Sequence, residues 1–225
     1  MSFVVAIDGP AGTGKGTITK LIAQELGLVN IDTGAMYRCI ALACLAKGMT
    51  TNEEKERIIE IANKVNIQIQ HNGAEQEIFL DDKNVSEEIR SQEATMMASQ
   101  VSAIPAVREI MVNLQRKMAE GKEVIMEGRD ITTVVFPNAQ VKIYLDATAE
   151  ERANRRYKEY QEKGVNLEMT YEEVLKTIEK RDYDDSHRAV GALKMAEEAA
   201  VIDTTKMTIK EVKEKVKEII LERRK

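Results

Sequence analysis

The chain holds few of the residues that usually carry metal or thiol chemistry. Its 225 residues include two cysteines, Cys39 and Cys44, and two histidines, His71 and His187. The cysteines stand in one Ala/Leu-rich stretch that reads as a helix. They lack metal-ligand spacing, and two positions of one helix at this spacing do not form a disulfide. Both read as buried free thiols, which suits a reducing compartment. His71 falls near a turn, and His187 lacks a nucleophile or ligand partner, so both read as bystanders. There is no excess of positive charge. The formal net charge of −5 argues against general nucleic-acid binding. No apolar run approaches the length of a membrane span. The N-terminus lacks the charged-then-apolar pattern of a signal peptide. Repeats, low-complexity tracts and long linkers are missing too. What remains is a chain with 43% apolar residues, enough for one sizeable core. It is expected in the cytoplasm, away from membranes and nucleic acids.

Five short apolar runs read as buried strands: Phe3–Ile7, Leu28–Ile31, Glu123–Met126, Val141–Leu145 and Ala200–Ile202. Helical patterns separate them, which predicts an α/β fold with a parallel sheet. A first helix, Ile18 to Leu26, ends at Gly27, and a second, Ala35–Lys47, stops at Gly48. Thr51-Asn52-Glu53-Glu54 resembles a capping box opening a helix over Asn52–Lys64. The period then changes. Val65, Ile67 and Ile69 alternate with polar residues up to His71-Asn72-Gly73-Ala74, and Glu75–Leu80 follows. Alternation around Asn-Gly predicts a hairpin. Asp81–Val85 adds a second turn and a short third strand, so an antiparallel insert is expected at about 65–85. Further helices are predicted from Ser86 to about Val101, from Pro105 to Ala119, over Thr148–Glu162, over Glu172–Arg181 and over Thr208–Arg224.

The strongest chemical signal is Gly9-Pro10-Ala11-Gly12-Thr13-Gly14-Lys15-Gly16-Thr17, between the first strand and the first helix. Strand, glycine loop and helix is the context of a phosphate-binding P-loop. The glycines let successive backbone N–H groups face one anion. The helix N-terminus adds partial positive charge, and Lys15 supplies a mobile cation for the β- and γ-phosphates. After Gly14-Lys15 the usual Ser/Thr position holds Gly16, and Thr17 offers the hydroxyl one residue later for phosphate or Mg²⁺.

Four weaker clusters follow. Asp32-Thr33-Gly34-Ala35-Met36-Tyr37-Arg38 leaves the second strand, where ligands of open α/β sheets bind; it also reads as an ordinary helix cap with a surface arginine. Glu127-Gly128-Arg129-Asp130 leaves the third strand, and Glu127 stands where a Walker-B acid holds Mg²⁺. A simple edge carboxylate is the competing reading. Arg152, Arg155 and Arg156 share one helix face, among glutamates that make a solvated ion-paired face equally natural. Arg181, Asp185 and Arg188, at helical spacing, form an arginine–carboxylate–arginine set, able to fork phosphate oxygens and accept sugar hydroxyls or simply to pair with one another. A P-loop accounts for one phosphorylated ligand. Several separate arginine sites imply a second, which favours phosphoryl transfer over hydrolysis.

These segments together resemble the nucleoside monophosphate kinase family and, within it, the bacterial cytidylate kinases. Nearly the whole chain takes part, with Ala98-Ser99-Gln100-Val101, Val107-Arg108-Glu109, Thr133-Val134-Val135-Phe136-Pro137 and Arg188-Ala189-Val190 adding to the motifs above. The resemblance implies a P-loop NTPase-type three-layer sandwich with a five-stranded parallel sheet. Its core would be 1–36, 90–154 and 166–225, with an acceptor-binding region at 37–89 that carries the antiparallel insert and a short helical lid at 155–165. It implies transfer of the ATP γ-phosphate to CMP or dCMP by a monomer, with Mg²⁺. Thr33, Arg38, Arg129 and Arg188 would hold the CMP phosphate; Ser99, Arg108 and Asp130 would read cytosine. Arg181 and Asp185 would contact the pentose hydroxyls, and Arg155 and Arg156 would close over the ATP phosphates. Lys15, Arg129, Arg155, Arg156 and Arg188 are then the catalytic set, Gly9 to Thr17 the donor loop, and Thr17 with Glu127 the metal side. A kinase for another acceptor such as UMP or AMP, or an ATP-binding switch without kinase activity, are the rival readings.

Overall fold

The computed structural model describes residues 3–72 and 75–224. Two compact units divide the chain. The first comprises 1–30 and 121–225, and the second 31–120.

The first unit is built on a five-stranded sheet. Its strands are β1 (Val4–Asp8), β2 (Val29–Asp32), which runs on into the second unit, β6 (Val124–Gly128), β7 (Val141–Asp146) and β8 (Ala200–Asp203). Their order is β2-β6-β1-β7-β8. β1 pairs in parallel with β6 and β7, and β7 in parallel with β8. All five residues of β1 are buried, as expected of a parallel strand covered on both faces. Val5 and Ile7 of β1 share a core with Ile18 and Ile22 of α1 (Lys15–Leu26). Ile125, Ile143, Leu145 and Ile202 join it, as do Val212, Val216 and Ile220 of α8 (Ile209–Arg223). Two further helices, α6 (Ala149–Lys163) and α7 (Tyr171–Ser186), enclose a smaller cluster of Ala153, Val174 and Ile178. Because the strands run parallel, the loops after β1, β6, β7 and β8 leave one edge of the sheet. β1, where the strand order reverses, is the switch point at which such sheets bind ligands.

The second unit contains α2 (Thr33–Leu45), α3 (Lys55–Lys64), α4 (Gln92–Val101) and α5 (Pro105–Ala119). With them is the antiparallel sheet β3 (Ile67–Asn72), β4 (Glu75–Leu80) and β5 (Lys83–Asn84). The register pairs Ile69 with Ile78 and Phe79 with Asn84. The turn residues Gly73 and Ala74 lie outside the described residues, as does the His71 side chain. Asp81 and Asp82 both take positive φ, 47° and 66°, in the second tight turn.

Several helix boundaries differ from the sequence expectation: α1 begins at Lys15 and not Ile18, and α2 spans Thr33–Leu45 and not Ala35–Lys47. Thr51 forms no capping box; its hydroxyl accepts the Glu53 N–H at 3.5 Å, a local turn, and α3 begins only at Lys55. The stretch expected to be helical from Ser86 is divided. A single 3₁₀ turn spans Glu88–Arg90, and Ser91 then caps α4 by accepting the Ala94 N–H at 3.2 Å. Ser86 serves the sheet instead, its hydroxyl accepting the Ile78 N–H at 2.9 Å. Finally, α7 runs on to Ser186, five residues past Arg181, which puts Asp185 on the same helix.

Candidate active site

The loop between β1 and α1 is shaped by groups that hold its carbonyls. Gly9 has φ 149°, and a Cβ there would stand 2.0 Å from the Leu145 carbonyl oxygen, so no other residue fits. Lys15 Nζ donates to the carbonyls of Gly9 at 2.8 Å and Pro10 at 2.7 Å. Arg152 Nη1 donates to the Ala11 carbonyl at 3.2 Å, and Thr204 Oγ1 lies 3.4 Å from the Thr13 carbonyl. In a planar trans peptide the C=O and the following N–H point to opposite sides. The Arg152 bond to the Ala11 carbonyl therefore points the Gly12 N–H away from Arg152. Gly14 precedes α1 as its N-cap and offers no side-chain cap, and a helix N-terminus of this kind suits an anion such as phosphate.

Lys15 is buried, and its pKa is lowered to about 7. Burial is the main cause and the nearby Arg129 the second; Glu127, Asp8 and Asp185 act against them. Arriving phosphate oxygens would favour its charged form. Glu127, the fourth residue of β6, packs against the start of α1. A Cβ on Gly16 would meet Glu127 Oε1 at 2.7 Å. This accounts for glycine where P-loops carry Ser or Thr: the longer glutamate takes that room. Thr17 is exposed on the first turn of α1. Among the described residues no three His, Cys, Asp or Glu side chains cluster as a metal site. The Thr17 hydroxyl and the Glu127 carboxylate are nevertheless hard oxygen donors at the Gly9–Thr17 loop and the start of α1. That donor set suits Mg²⁺, which takes one or two protein oxygens together with phosphate and water.

Asp185 organises the arginines. It is 1% exposed, and its Oδ2 accepts from Arg129 Nε at 2.7 Å while Oδ1 accepts from Arg188 Nη2 at 2.5 Å. Burial works against its charge, but Arg129, Arg188 and Arg181 prevail and hold its pKa below the ordinary value. Burial likewise opposes the charge of Arg129, and Asp185 more than offsets it. Asp130 is buried at the head of a π-helical turn, Ile131–Val135. Arg155 donates to Glu151 at 2.9 Å and to the hydroxyl and carbonyl of Thr204 at 3.2 and 2.6 Å. Arg156 pairs with Glu159 at 3.6 Å.

In the second unit, Asp32 caps α2 by accepting the Ala35 N–H at 2.9 Å and stands 4.0 Å from Arg38. The helix-cap reading of that segment therefore holds, with Arg38 close to the cap. Thr33 is buried in the first turn of α2. Arg108 is buried, donates to the Ser102 carbonyl at 3.3 Å and lies 5.5 Å from the Tyr37 ring centroid. Ser99 is half-buried on α4, and its carbonyl accepts from the Ser102 hydroxyl at 2.9 Å. Burial raises the Cys39 thiol to about 12 and the Cys44 thiol to about 11, so both stay protonated and inert.

The cytidylate kinase family model matches residues 5–222. The chain belongs to the cytidylate kinase family. A cytidylate kinase of Caldanaerobacter subterraneus is 51% identical over 216 residues, 96% of this chain and 93% of that one. One from Caldicellulosiruptor bescii is 49% identical over 215 residues, 96% and 94% of the two chains. One from Fusobacterium nucleatum is 51% identical over 211 residues, 94% of each. Among solved structures, an uncharacterized protein from Eubacterium ventriosum superposes with a TM-score of 0.52 at 12% identity, over 97% of this chain and 98% of that one. That likeness supports the fold alone. As a cytidylate kinase family member the chain is a nucleoside monophosphate kinase, a phosphotransferase that uses nucleotides.

Three residues that sequence reasoning left without a role shape this site in the cytidylate kinase family chain. Asp8 is fully buried and accepts the backbone N–H groups of Ile131 and Thr132 at 2.9 and 2.7 Å, and the Thr132 hydroxyl. It thereby ties the end of β1 to the turn after β6. Burial still raises its pKa above the ordinary value. A carboxylate at the end of an otherwise apolar strand was the available signal. Thr204, after β8, offered none. Arg152 was visible only as one of three arginines on a charged helix, yet it is buried and not part of a solvated face.

Proposed function

We propose that the protein transfers the γ-phosphate of ATP to CMP or dCMP, giving ADP and CDP or dCDP. The observation that carries this reading is the pairing of a P-loop with the Arg129–Asp185–Arg188 set on the same sheet edge, in a chain whose relatives are named cytidylate kinases. The loop amides and Lys15 would hold the donor phosphates. Arg129, Arg188, Arg38 and Thr33 would hold the acceptor phosphate, and Arg181 and Asp185 the pentose. Arg155 and Arg156 would reach the donor phosphates when the segment 155–165 closes, for which Arg155 must leave Thr204. Mg²⁺, held by Thr17 and Glu127 with the phosphates, would neutralise charge on the transferring group.

The acceptor phosphate is anionic at neutral pH and needs no general base. The obstacle is repulsion between two anions in a loose transition state, and positioned arginines offset it. Cytosine presents an N4 donor and N3 and O2 acceptors. Asp130 would accept from N4, and Ser99 and Arg108 would donate to N3 and O2. Uracil reverses the polarity at positions 3 and 4, and a site of buried polar groups rejects such a swap strongly. The test is ADP release with ATP and Mg²⁺ across CMP, dCMP, UMP, dTMP, AMP and no acceptor. Turnover with CMP and dCMP alone is expected. UMP turned over as well as CMP would overturn the base assignment, and ATP binding without acceptor-dependent turnover would favour a switch protein.

A further inference from the structure

Arg152 spans three elements. Its Nε donates to the Ala147 carbonyl at 2.9 Å, just before α6. Nη1 reaches the Ala11 carbonyl of the donor loop, and Nη2 pairs with Asp182 Oδ2 of α7 at 2.6 Å. It is 4% exposed, so these bonds are little screened by water. The loop is fitted to it: a Cβ on Gly12, which has φ 84°, would stand 3.1 Å from the Arg152 Cβ. We propose that Arg152, oriented by Asp182, is a positioning residue for the donor site. By holding the Ala11 carbonyl it fixes the plane of the Ala11–Gly12 peptide and so aims the Gly12 N–H away from α6, into the phosphate cradle. Arg152 itself touches no reacting atom in this scheme. The inference rests on the reading of this loop as the ATP site and not on the identity of the acceptor.

Three donors in a planar fork match three acceptors, a match that lysine cannot reproduce. Arg152→Lys keeps the charge but loses the fork. Asp182→Asn lies one residue removed from the loop and leaves Arg152 in place with its orienting charge gone. Calorimetric titration with ADP, without any acceptor, reads the donor site alone. Both variants are expected to bind ADP about tenfold more weakly, the size of one misdirected charge-assisted hydrogen bond. In turnover the KM for ATP should rise by a similar factor while kcat stays within about twofold, since the scheme removes ground-state and transition-state binding together. Asp182→Glu, which restores the charge, should recover most of the affinity. ADP affinity within twofold of the parent in both variants at a temperature well below their melting points overturns the inference. So does a loss confined to thermal stability. A parent protein that binds no ADP would overturn the donor-site reading itself, and this inference with it.

Discussion

Replacing Asp185 with Asn tests the arrangement of charge on which the acceptor reading depends. The carboxylate is 1% exposed, and its two oxygens take one arginine each at 2.7 and 2.5 Å. Asparagine keeps a carbonyl for one of them and turns an NH₂ donor toward the other, so one buried guanidinium loses its acceptor. Removing one partner of a buried pair costs about 3–5 kcal/mol. Arg129 and Arg188 retain 17% and 8% side-chain exposure and can gain some water, which favours the lower end of that range, about 3 kcal/mol. At about 2–4 °C per kcal/mol for a chain of this length, the melting temperature should fall by about 6–12 °C at pH 7. The pH dependence has a definite sign. Asp185 has a folded pKa below its unfolded value, so its contribution is complete above the unfolded pKa and is lost as pH falls through the folded one. The gap between parent and variant should be constant from about pH 6 to 8 and shrink below about pH 5. Differential scanning calorimetry across that range is the assay. A variant that melts within about 2 °C of the parent at pH 7, or a gap that does not narrow in acid, would refute the reasoning.

Lys15→Ala should remain folded and lose nearly all turnover, measured by ADP release beside circular dichroism; substantial residual activity would remove Lys15 from the mechanism. Because its pKa of about 7 in the free protein must rise when phosphate arrives, nucleotide binding should take up protons above pH 7. Calorimetry in buffers of different ionisation enthalpy reads that uptake, and its absence at pH 8 would show that Lys15 is already charged. Gly9→Ala drives a Cβ to 2.0 Å from the Leu145 carbonyl in the core strands, so loss of soluble expression or a melting temperature lower by several degrees is expected. Gly16→Ala meets only the flexible end of Glu127, so its stability should be nearly unchanged while the Mg²⁺ concentration for half-maximal activity rises severalfold. An unchanged Mg²⁺ dependence would take Glu127 off the metal.

β1 was legible because burial on both faces writes a strand as an uninterrupted apolar run; Val4 to Ile7 is such a run and Asp8 its one polar end, whereas β7 alternates buried and half-buried residues and β2 carries Asn30. The P-loop was legible because its glycines answer a steric demand at fixed spacing. The caps were less so. Thr51 and Ser86 carry the same hydroxyl as Ser91, but only Ser91 caps a helix, since the first closes a local turn and the second serves the neighbouring strand. The three arginines of α6 differ in the same manner. Spacing puts Arg152, Arg155 and Arg156 on one face, but which of them turns inward depends on Asp182 of α7 and on the Ala11 carbonyl, distant in sequence. Asp185 was legible as an arginine partner, and its reach to Arg129, 56 residues away, was not.

The strand order also governs how the chain is made. β1 has two neighbours, β6 and β7, and both are encoded after the whole of the second unit. At about 5–20 residues per second, some 120 residues and about 6–24 s of synthesis separate β1 from its first partner on the ribosome. For that interval the donor loop has no strand beside it to bend against, and the apolar N-terminal segment has no sheet to enter. The 31–120 unit carries its own antiparallel sheet and helices, all encoded before β6. The Gly9–Thr17 loop is therefore completed late in translation, and a nascent chain halted before β6 offers chaperones an unpaired apolar strand in place of the proposed donor site.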